Sequence, residues 1–459
     1  MSVRLPQAPH DQRARQVNRP KAILQAVSAA TGPEMSTVGT HRPQPMRIGL
    51  LSQWYEPEPQ TIPHVLAEEL VRRHHSVRVL TGFPNYPTGR VFDGYRMSWR
   101  THEMMSGVAV RRVVLFPSHD QTRLGRLANY GSFATSASLW GAGWFKDIQA
   151  LWVYNSPPTV GLPTWLIKAR YRPRVVLHVM DLWPESLTSS GFGRSMVRWP
   201  WLERALDRWL AMTYDVADRI ACTSRRQIDI LAARGVSRDK LLYAPTWVDE
   251  AIFHPIPKDE ELLASLNLAG KTVLLYAGAI GEAQGLETLI EVCDRLKDEP
   301  RFHCVLAGSG IAEAGLKQQA AEKHLGNVTF IGRWPTQDMT RIMSIGDIHF
   351  VSLKAHDLAD VAMPSKLPAT LACGKPLIVA AGGDAELLVS RTGSGWTCQP
   401  GNSPELERAV RSAVALSEGE LNDMGYRARA AYEAEFSLKV GIDRIESLLE
   451  DPMRSNNAS

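Results

Sequence analysis

The segment MPSKLPATLACGKPLIVA, residues 363–380, contains two polar side chains where a helix is predicted to begin. Pro364 and Ser365 open this helix, Gly374 ends it, and an apolar strand follows. Ser365 and Lys366 would bring a hydroxyl group and a cation to the positive end of the helix dipole. Such a combination can stabilise an anion, for example a departing diphosphate. A helix cap followed by a solvent-facing lysine explains the same residues, so both interpretations stay open.

A glycine-rich turn is the second candidate. In YAGAIGEAQGLETLIE, residues 276–291, a strand runs into Gly278, Gly281 and Gly285 before a helix begins. Glycines let the backbone approach a ligand closely, and the start of a helix offers free N–H groups to phosphate. The spacing differs from that of a P-loop and the turn has no lysine, which excludes a P-loop. A plain strand–helix turn is the alternative.

Two further turns follow strands in the same half of the chain. AGSGIAEAGL, residues 307–316, repeats the order of strand, glycine turn and helix, with Gly308 in the turn. In IGRWP, residues 331–335, Arg333 and Trp334 follow the next strand and could flank a planar base. Packing of Trp334 in the core or on the surface is the alternative interpretation.

The first half of the chain contains a different set of polar residues. LHVMDLWPES, residues 177–186, ends a buried strand with His178 and Asp181, which could bind a substrate hydroxyl or act as a base. A structural histidine at a strand end is the alternative. Asn85 and Tyr86, in the long loop after the second strand, are typical of residues that contact an acceptor. The loop after the first strand lacks G-x-G-x-x-G, which argues against a nicotinamide or flavin dinucleotide fold.

These candidates lie between alternating strands and helices. The pattern predicts an α/β protein with two facing Rossmann-like domains, each a doubly wound parallel sheet, and a cleft between them. A break rich in proline and charge, residues 250–261, separates the two domains. The predicted organisation is a disordered extension over 1–45, an N-terminal Rossmann-like domain over 46–250, a C-terminal Rossmann-like domain over 251–435, and a C-terminal helix and tail over 436–459. The last helices are predicted at about 403–434 and 439–450.

Composition excludes several classes of function. The formal net charge is +4, and residues 1–45, with six Lys or Arg and two Asp or Glu, carry an equal excess. The remaining chain is balanced, which argues against a nucleic-acid partner. The five cysteines are far apart and have no metal-ligand spacing, and no HExxH motif or Ser–His–Asp order appears, so no metal site is predicted.

Two segments raise the question of a membrane. Residues 127–145 are uncharged but too polar for a confident membrane span, so a buried or interfacial helix is expected. Residues 194–212 mix arginines with three tryptophans, as a helix lying on an anionic membrane does. The alternative is a helix packed by its tryptophans with its arginines in solvent. The expected location is the cytoplasm, with peripheral contact at the inner face of the cell membrane left open.

Five motifs in order resemble the family 4 glycosyltransferases of GT-B fold, in particular the bacterial subgroup with fucosamine and colanic-acid-type transferases. They lie between about residues 46 and 440: PEPQTIPHVLAEELVRRHHSVRVLTGFPNYP, HVMDLWPES, LLYAPTWVD, YAGAIGEAQGLETLIE and PSKLPATLACGKP. The resemblance implies a retaining transfer from a nucleotide-diphospho-sugar to the hydroxyl of a lipid-linked or small-molecule acceptor, in polysaccharide or glycoconjugate biosynthesis. It implies that the domain over 46–250 binds the acceptor and that the domain over 251–435 binds the nucleotide sugar. It implies neither a metal ion nor another cofactor.

The resemblance also implies roles for particular residues. The implied donor residues are Gly278 and Gly281 at the diphosphate, Gly308, Arg333 and Trp334 near the base, and Ser365, Lys366 and the backbone of Leu367 at the phosphates. The implied catalytic residues are His178 and Asp181, facing the sugar or acceptor, and Lys366. The implied acceptor-side residues are Gln60, Thr61, Asn85 and Tyr86.

One departure from the family pattern concerns the ribose. Relatives often have a glutamate that holds the ribose where this chain has Ala369, and Asp384 and Glu386 are the nearest acids in sequence that could replace it. Ala369 supports one alternative to a transferase, a partner protein of the same fold that has lost donor binding. The other alternative is a nucleotide-sugar 2-epimerase, which shares two facing α/β domains but is disfavoured by the segments DLWPES and PSK.

Overall fold

The structure is a computed structural model that describes residues 44–118, 123–183, 200–354 and 363–450. The elements of the N-terminal half are β1 Arg47–Leu51, α1 Thr61–Arg72, β2 Ser76–Gly82, β3 Arg100–Met105, β4 Val108–Val113, α2 Arg123–Ser136, β5 Ala150–Asn155, α3 Gly161–Tyr171, β6 Arg174–Val179, α4 Pro200–Val216, β7 Arg219–Cys222, α5 Arg225–Ala233 and β8 Leu241–Tyr243. Those of the C-terminal half are α6 Glu260–Ser265, β9 Thr272–Ala277, α7 Glu287–Arg295, β10 Phe302–Ala307, α8 Glu313–Glu322, β11 Val328–Gly332, α9 Met339–Ile345, β12 Ile348–Ser352, α10 Lys366–Ala372, β13 Leu377–Ala380, α11 Gly383–Thr392, β14 Gly395–Thr397, α12 Ser403–Ala415, α13 Glu418–Glu435 and α14 Leu438–Glu450.

Each half is built around one sheet. The first sheet has the order β3-β4-β2-β1-β5-β6-β7-β8 and the second has the order β11-β10-β9-β12-β13-β14. All pairs are parallel except that of β3 with β4. Central strands such as β5 and β10 are buried at every position, as apolar strands with helices on both faces must be. The predicted architecture of two doubly wound sheets is confirmed.

The antiparallel edge strand β3 was not predicted. Its side chains alternate between exposed and half-buried, and its sequence RTHEMM has no apolar run. An edge strand with one face in solvent does not require an apolar run. Among the described strands, β3 pairs with β4 only.

The end of the chain differs from its prediction in two ways. The helix expected over 403–434 is two helices, because Ser417 starts α13 with a capping box that its side chain forms with Glu420. Helix α14 is not a separate appendage: Ile442, Ile445 and Leu449 pack into the core of the first sheet. The chain thus crosses from the second sheet back to the first.

The described parts of the two segments that raised the question of a membrane are helical. Residues 127–145 begin in α2 and continue through a π turn, Ala137–Gly141, and a 3₁₀ turn, Ala142–Phe145. Among the described residues, none of the helices has the length and apolar character required to cross a bilayer. The part of 194–212 that precedes Pro200 lies outside the described residues. In α4, Trp201 is exposed, whereas Trp209 packs inward and donates its indole N–H to the carbonyl of Pro158.

Candidate functional site

Two glycines after neighbouring strands bring their turns into contact. Gly278 follows β9 with φ of +140°, and Gly308 follows β10 with φ of +151°. A Cβ atom on Gly308 would lie 1.8 Å from the carbonyl oxygen of Gly278. A Cβ atom on Gly278 would lie 2.4 Å from Cε of Lys366. Both positions therefore require glycine, for backbone conformation and for space.

These turns form one wall of a cavity of about 350 Å³, called the glycine cavity below. It is lined by Gly278, Ala279, Ala307, Gly308, Ser309, Arg333, Trp334, Thr336 and Met339. Tertiary structure thus brings together four residues that the sequence analysis selected from three separate motifs. Trp334 also packs against its own turn, where its indole N–H donates to the carbonyl of Ile331, so the two interpretations of this side chain are compatible.

Lys366 lies beside the glycine cavity, and no described residue provides it with a counter-charge. Its alkyl chain contacts Gly278, and its ammonium group lies 5.2 Å from the centroid of the Tyr276 ring. Burial lowers the pKa of Lys366 to about 8. Within the described part of the chain it forms no ion pair with a carboxylate. A desolvated cation without a partner is costly to the fold and is well suited to receive an anion.

Three other residues that were predicted to bind the donor do not line the glycine cavity. The amide N–H of Gly281 donates to the side-chain oxygen of Gln284, at 3.0 Å. The amide N–H of Leu367 donates to the carbonyl of Pro364, at 2.9 Å. Ser365 is exposed and its hydroxyl does not cap α10, which has seven residues only. None of the three is among the residues that line the glycine cavity.

Ala369, where relatives often have the glutamate that holds the ribose, lies in an apolar environment. Ala369 is buried in a small cluster with Met343 and Cys373, and Met339 of the cavity wall packs against this cluster. Asp384 is not a replacement, because its carboxylate accepts a hydrogen bond from the backbone N–H of Arg225. This contact joins α11 in the second half to the start of α5 in the first half.

In the N-terminal half, Asp181 belongs to a group of aromatic residues, called the tyrosine cluster below. The carboxylate of Asp181 accepts a hydrogen bond of 2.8 Å from the hydroxyl of Ser156. Asp181 retains contact with solvent, yet desolvation by the surrounding protein raises its pKa. Its charge in turn raises the pKa values of two tyrosines that are themselves desolvated. The cluster consists of Trp54, Tyr86, Tyr130, Tyr154 and Asp181.

The tyrosine cluster has the composition of a ligand site. The ring of Trp54 lies 5.7 Å from that of Tyr86 and 6.3 Å from that of Tyr130. Aromatic walls with a few polar groups are typical of pockets that bind small organic molecules. Of the predicted acceptor-side residues, Tyr86 belongs to this cluster and Gln60 accepts a long hydrogen bond of 3.4 Å from the hydroxyl of Tyr154. Thr61 is exposed at the start of α1.

The prediction that His178 faces the sugar or the acceptor is wrong. Its side chain is completely buried beneath the end of β6, against the ring of Trp152. One ring nitrogen, Nε2, lies 2.9 Å from the carbonyl oxygen of Ala244, to which it donates in the neutral form. Burial lowers the pKa of His178 to about 4. It is the structural histidine of the alternative interpretation, since a general base must reach its substrate.

Asn85, like His178, is a buried residue with a structural role. It is buried, its amide group donates to the carbonyl of Phe83, and its side-chain oxygen accepts from Asn129. Asn129 accepts in turn from Gln53. This buried network orders the turn that carries Tyr86, and its side chains do not face an acceptor.

Sequence reasoning missed the role of Glu58. One carboxylate oxygen accepts hydrogen bonds of 2.8 Å from the backbone N–H groups of both Asn85 and Tyr86, and the other accepts from that of Tyr55 at 3.1 Å. Desolvation raises the pKa of Glu58 to about 7, against the opposing effect of these bonds. Glu58 ties the loop after β1 to the loop after β2 and so holds Tyr86 in place. An acid between two prolines was the only signal for it.

A group of possible metal ligands lies far along the chain from these sites. Side-chain atoms of His75, Glu446 and Glu450 lie within 4.8 Å of one another. Nδ1 of His75 accepts from the backbone N–H of Met46, Nε2 lies 2.8 Å from Glu446, and Arg73 also contacts Glu446. The contacts of Glu446 with His75 and Arg73 hold α14 against the first sheet.

Comparisons with known proteins agree with this architecture. Residues 59–247 match the family model "Glycosyl transferase 4-like domain" and residues 258–431 match "Glycosyl transferases group 1". The putative colanic acid biosynthesis glycosyl transferase WcaI of Escherichia coli is 30% identical over 370 residues, which cover 76% of this chain and 87% of WcaI. The probable glycosyltransferase WbjE of Pseudomonas aeruginosa is 23% identical over 59% of this chain and 66% of WbjE.

Solved structures show the same fold. The crystal structure of Anabaena Alr3699/HepE in complex with UDP and glucose aligns with a TM-score of 0.65 at 16% identity, over 89% of this chain and all of that one. The family match favours a transferase over the epimerase and over a partner without activity. By its two sheets, its family models and its similarity to WcaI, this chain belongs to the family 4 glycosyltransferases of GT-B fold and is an enzyme that transfers sugars.

Proposed function

We propose that the enzyme moves a sugar from a nucleoside-diphospho-sugar bound in the glycine cavity to a hydroxyl group held at the tyrosine cluster, with retention of the anomeric configuration. The observation that carries the proposal is the desolvated ammonium group of Lys366 beside Gly278, which lacks a counter-ion among the described residues. A diphosphate would supply that counter-charge. The UDP in the Anabaena structure is consistent with such a ligand.

The cavity wall suggests how the rest of the donor binds. Arg333 and Trp334 offer a cation and an aromatic surface for the base, and Ser309 and Thr336 offer hydroxyl groups. Gly278 and Gly308 keep side chains away from the diphosphate, so that it can approach the backbone and Lys366 together.

In the reaction, the bond between the anomeric carbon and the diphosphate oxygen breaks, and negative charge develops on the departing phosphate. Lys366 stabilises this charge, which is the largest contribution that the site can make. The acceptor hydroxyl bonds to the anomeric carbon on the same face, and its proton goes to the departing phosphate oxygen. Asp181 orients the hydroxyl as a hydrogen-bond acceptor.

The name of one relative supports a proposal for the pathway. WcaI is named for colanic acid biosynthesis, so we place the reaction in the assembly of a cell-surface polysaccharide or glycoconjugate. A lipid-linked acceptor is the form that would bring such an enzyme to a membrane, in the cytoplasm at the inner face.

The decisive experiment compares two buried lysines nine positions apart. Lys366→Ala is expected to lower the turnover of a donor from a panel of labelled nucleotide sugars by about a hundredfold or more, as loss of a group that stabilises transition-state charge does. Lys375→Ala is the control, since the ammonium group of Lys375 is also desolvated but donates to the carbonyl of Ser344. It is expected to lower stability and leave turnover near that of the parent. Equal turnover in the Lys366 variant and the parent would refute the proposal.

A further inference from the structure

Three arginines lie close together on the outer face of the first sheet, beside its edge strand. Arg78 of β2 and Arg111 of β4 lie over the ring of Trp144, and Arg100 of β3 is close enough to Arg111 for its charge to act on it. These three residues are called the arginine patch below. The guanidinium carbon of Arg111 lies 4.2 Å from the centroid of the Trp144 ring, and that of Arg78 lies 5.5 Å from it. His102 lies beside Arg111, and its Nε2 is 2.9 Å from a guanidinium nitrogen of that arginine.

The arginine patch has no acidic neighbour among the described residues that would balance it. Desolvation and the charges of Arg100 and Arg78 all lower the pKa of Arg111. Desolvation and the charges of Arg111 and Arg100 also lower the pKa of His102. The nearby acid of β3, Glu103, pairs instead with Arg112, whose position in β4 faces the opposite side of the sheet. The local charge is therefore strongly positive, although the chain from residue 46 onward is balanced.

Large apolar side chains project into solvent around the arginine patch. Trp99 is 66% exposed, and its ring lies 5.0 Å from that of Trp140 in the π turn after α2. Met104, at the other end of β3, and Leu139, beside Trp140, are each 68% exposed. Exposed tryptophans with arginines at the same surface are typical of the membrane–water interface, where the ring has one apolar and one polar side.

We propose that this surface, formed by the arginine patch together with Trp99, Met104, Leu139 and Trp140, docks the enzyme on an anionic lipid bilayer. It shares no residue with the segment 194–212, from which the sequence suggested membrane contact. Lipid phosphates would supply the anions that the arginines lack, and the apolar side chains would enter the headgroup region. The inference rests on the proposed function only in that a lipid-linked acceptor would give the docking a purpose.

A bilayer fits this surface better than a nucleic acid does. A nucleic acid would be matched by basic residues along a groove with aromatic rings available for stacking. The most exposed apolar side chains of this surface are Met104 and Leu139. They cannot stack on bases, and their transfer from water to an apolar environment is favourable. Trp144 already lies under two guanidinium groups and is not available to a base.

The test is flotation of the full-length protein with vesicles of phosphatidylcholine alone and with phosphatidylglycerol added. The double variant Trp99→Ser/Arg100→Glu changes two exposed members of the surface and spares Arg111, whose packing on Trp144 contributes to the fold. We expect binding to anionic vesicles to fall about tenfold or more, since a single basic residue near an anionic surface changes binding several-fold. The control Ile311→Ser/Arg408→Glu alters an exposed isoleucine and an exposed arginine in the C-terminal half and should bind like the parent.

Three results would overturn the proposal. They are equal binding of the parent to both kinds of vesicle, parent-like binding of the Trp99/Arg100 variant, and loss of binding only in a Trp201→Ser/Arg208→Glu variant of α4. Transfer to a water-soluble acceptor analogue should be unchanged in the Trp99/Arg100 variant. This readout separates failure of the docking surface from failure of the proposed reaction.

Discussion

The glycine cavity of the C-terminal half has one wall of backbone, at Gly278 and Gly308, whereas the tyrosine cluster of the N-terminal half consists of side chains. At the cavity, the turns of Gly278 and Gly308 meet through main-chain atoms, Arg333 is a charged lining residue, and the desolvated cation Lys366 lies beside the glycines. In the cluster, the rings of Trp54, Tyr86 and Tyr130 pack together, and Tyr130 lies within reach of the charge of Asp181. A backbone wall suits a ligand part that is always the same, such as a diphosphate. A side-chain wall can change with the acceptor.

The surfaces of the two halves differ as well. Of the large apolar side chains that the described residues expose, eleven lie between Met97 and Met212. The C-terminal half exposes Ile311, Leu387 and Tyr426. The half that we assign to the acceptor is therefore also the half suited to an apolar environment, which is what a lipid-linked acceptor requires. The predictions below test this division.

The largest effect on stability is expected at Gly308, whose backbone packs against that of Gly278. Gly308→Ala would place Cβ against the carbonyl oxygen of Gly278, and we expect the free energy of unfolding to fall by about 3 kcal/mol, with loss of nucleotide binding. Gly315→Ala is the matched control, because Gly315 lies in α8 with open space around it. It should raise stability by about 0.5–1 kcal/mol. Chemical denaturation and nucleotide titration check both, and similar results for the two variants would contradict a tight cradle.

Glu58 provides the corresponding test in the N-terminal half. Glu58→Ala leaves three buried backbone N–H groups without their acceptor and should lower stability by about 2–3 kcal/mol. Because the loop with Tyr86 is then released, the KM for the acceptor should rise while the affinity for the nucleotide stays the same. Glu58→Gln can keep the oxygen that serves Asn85 and Tyr86, so it should restore part of both properties. A matching loss of nucleotide affinity would break the division of labour between the halves.

Lys366 should make the unliganded protein less stable. Its pKa is about 8 in the folded protein, below the value of about 10.4 in an unfolded chain, so the charged form is disfavoured by folding. Below pH 8 the lysine is charged in both states and its cost is complete. Between pH 8 and about 10.4 the folded protein releases its proton first, and stability rises with pH.

Lys366→Met removes this charge and keeps the length of the side chain. We expect it to raise the free energy of unfolding by about 1–2 kcal/mol at pH 7, with the advantage over the parent shrinking as the pH approaches about 10. Melting curves of the two proteins across this pH range measure the effect. UDP or GDP should raise the melting temperature of the parent more than that of the variant. A variant less stable than the parent at pH 7 would show that the lysine has a counter-ion.

The smallest effect concerns the ribose. The residues known to line the glycine cavity include no carboxylate, and Ala369 stands in an apolar cluster. A site without a buried partner for a hydroxyl discriminates weakly against its removal. UDP and 2′-deoxy-UDP should therefore bind within about threefold of each other, as measured by calorimetry, and the same holds for the guanosine pair. A preference of a hundredfold for the ribonucleotide would point to a ribose acid elsewhere.

The architecture was predictable because buried parallel strands need continuous apolar runs, as in β5, β6 and β10. The same reasoning could not find β3, which has one face in water. It also could not separate His178 from Asp181. These residues are three positions apart at the end of one strand, and only the packing of Trp152 and Ala244 decides that the first is buried.

By itself, the sequence determined the two doubly wound domains, the glycine turns after β9 and β10, and the lysine at the start of α10. Residue types and periodicity suffice for these features, because they depend on local backbone geometry and on burial of apolar strands. Tertiary structure alone decided that Gly278, Gly308 and Lys366 meet, that Asn85 and His178 are buried, and that Asp384 binds the backbone of the other half. Desolvation and the presence or absence of a counter-charge arise from contacts between distant segments, and spacing along the chain does not encode them.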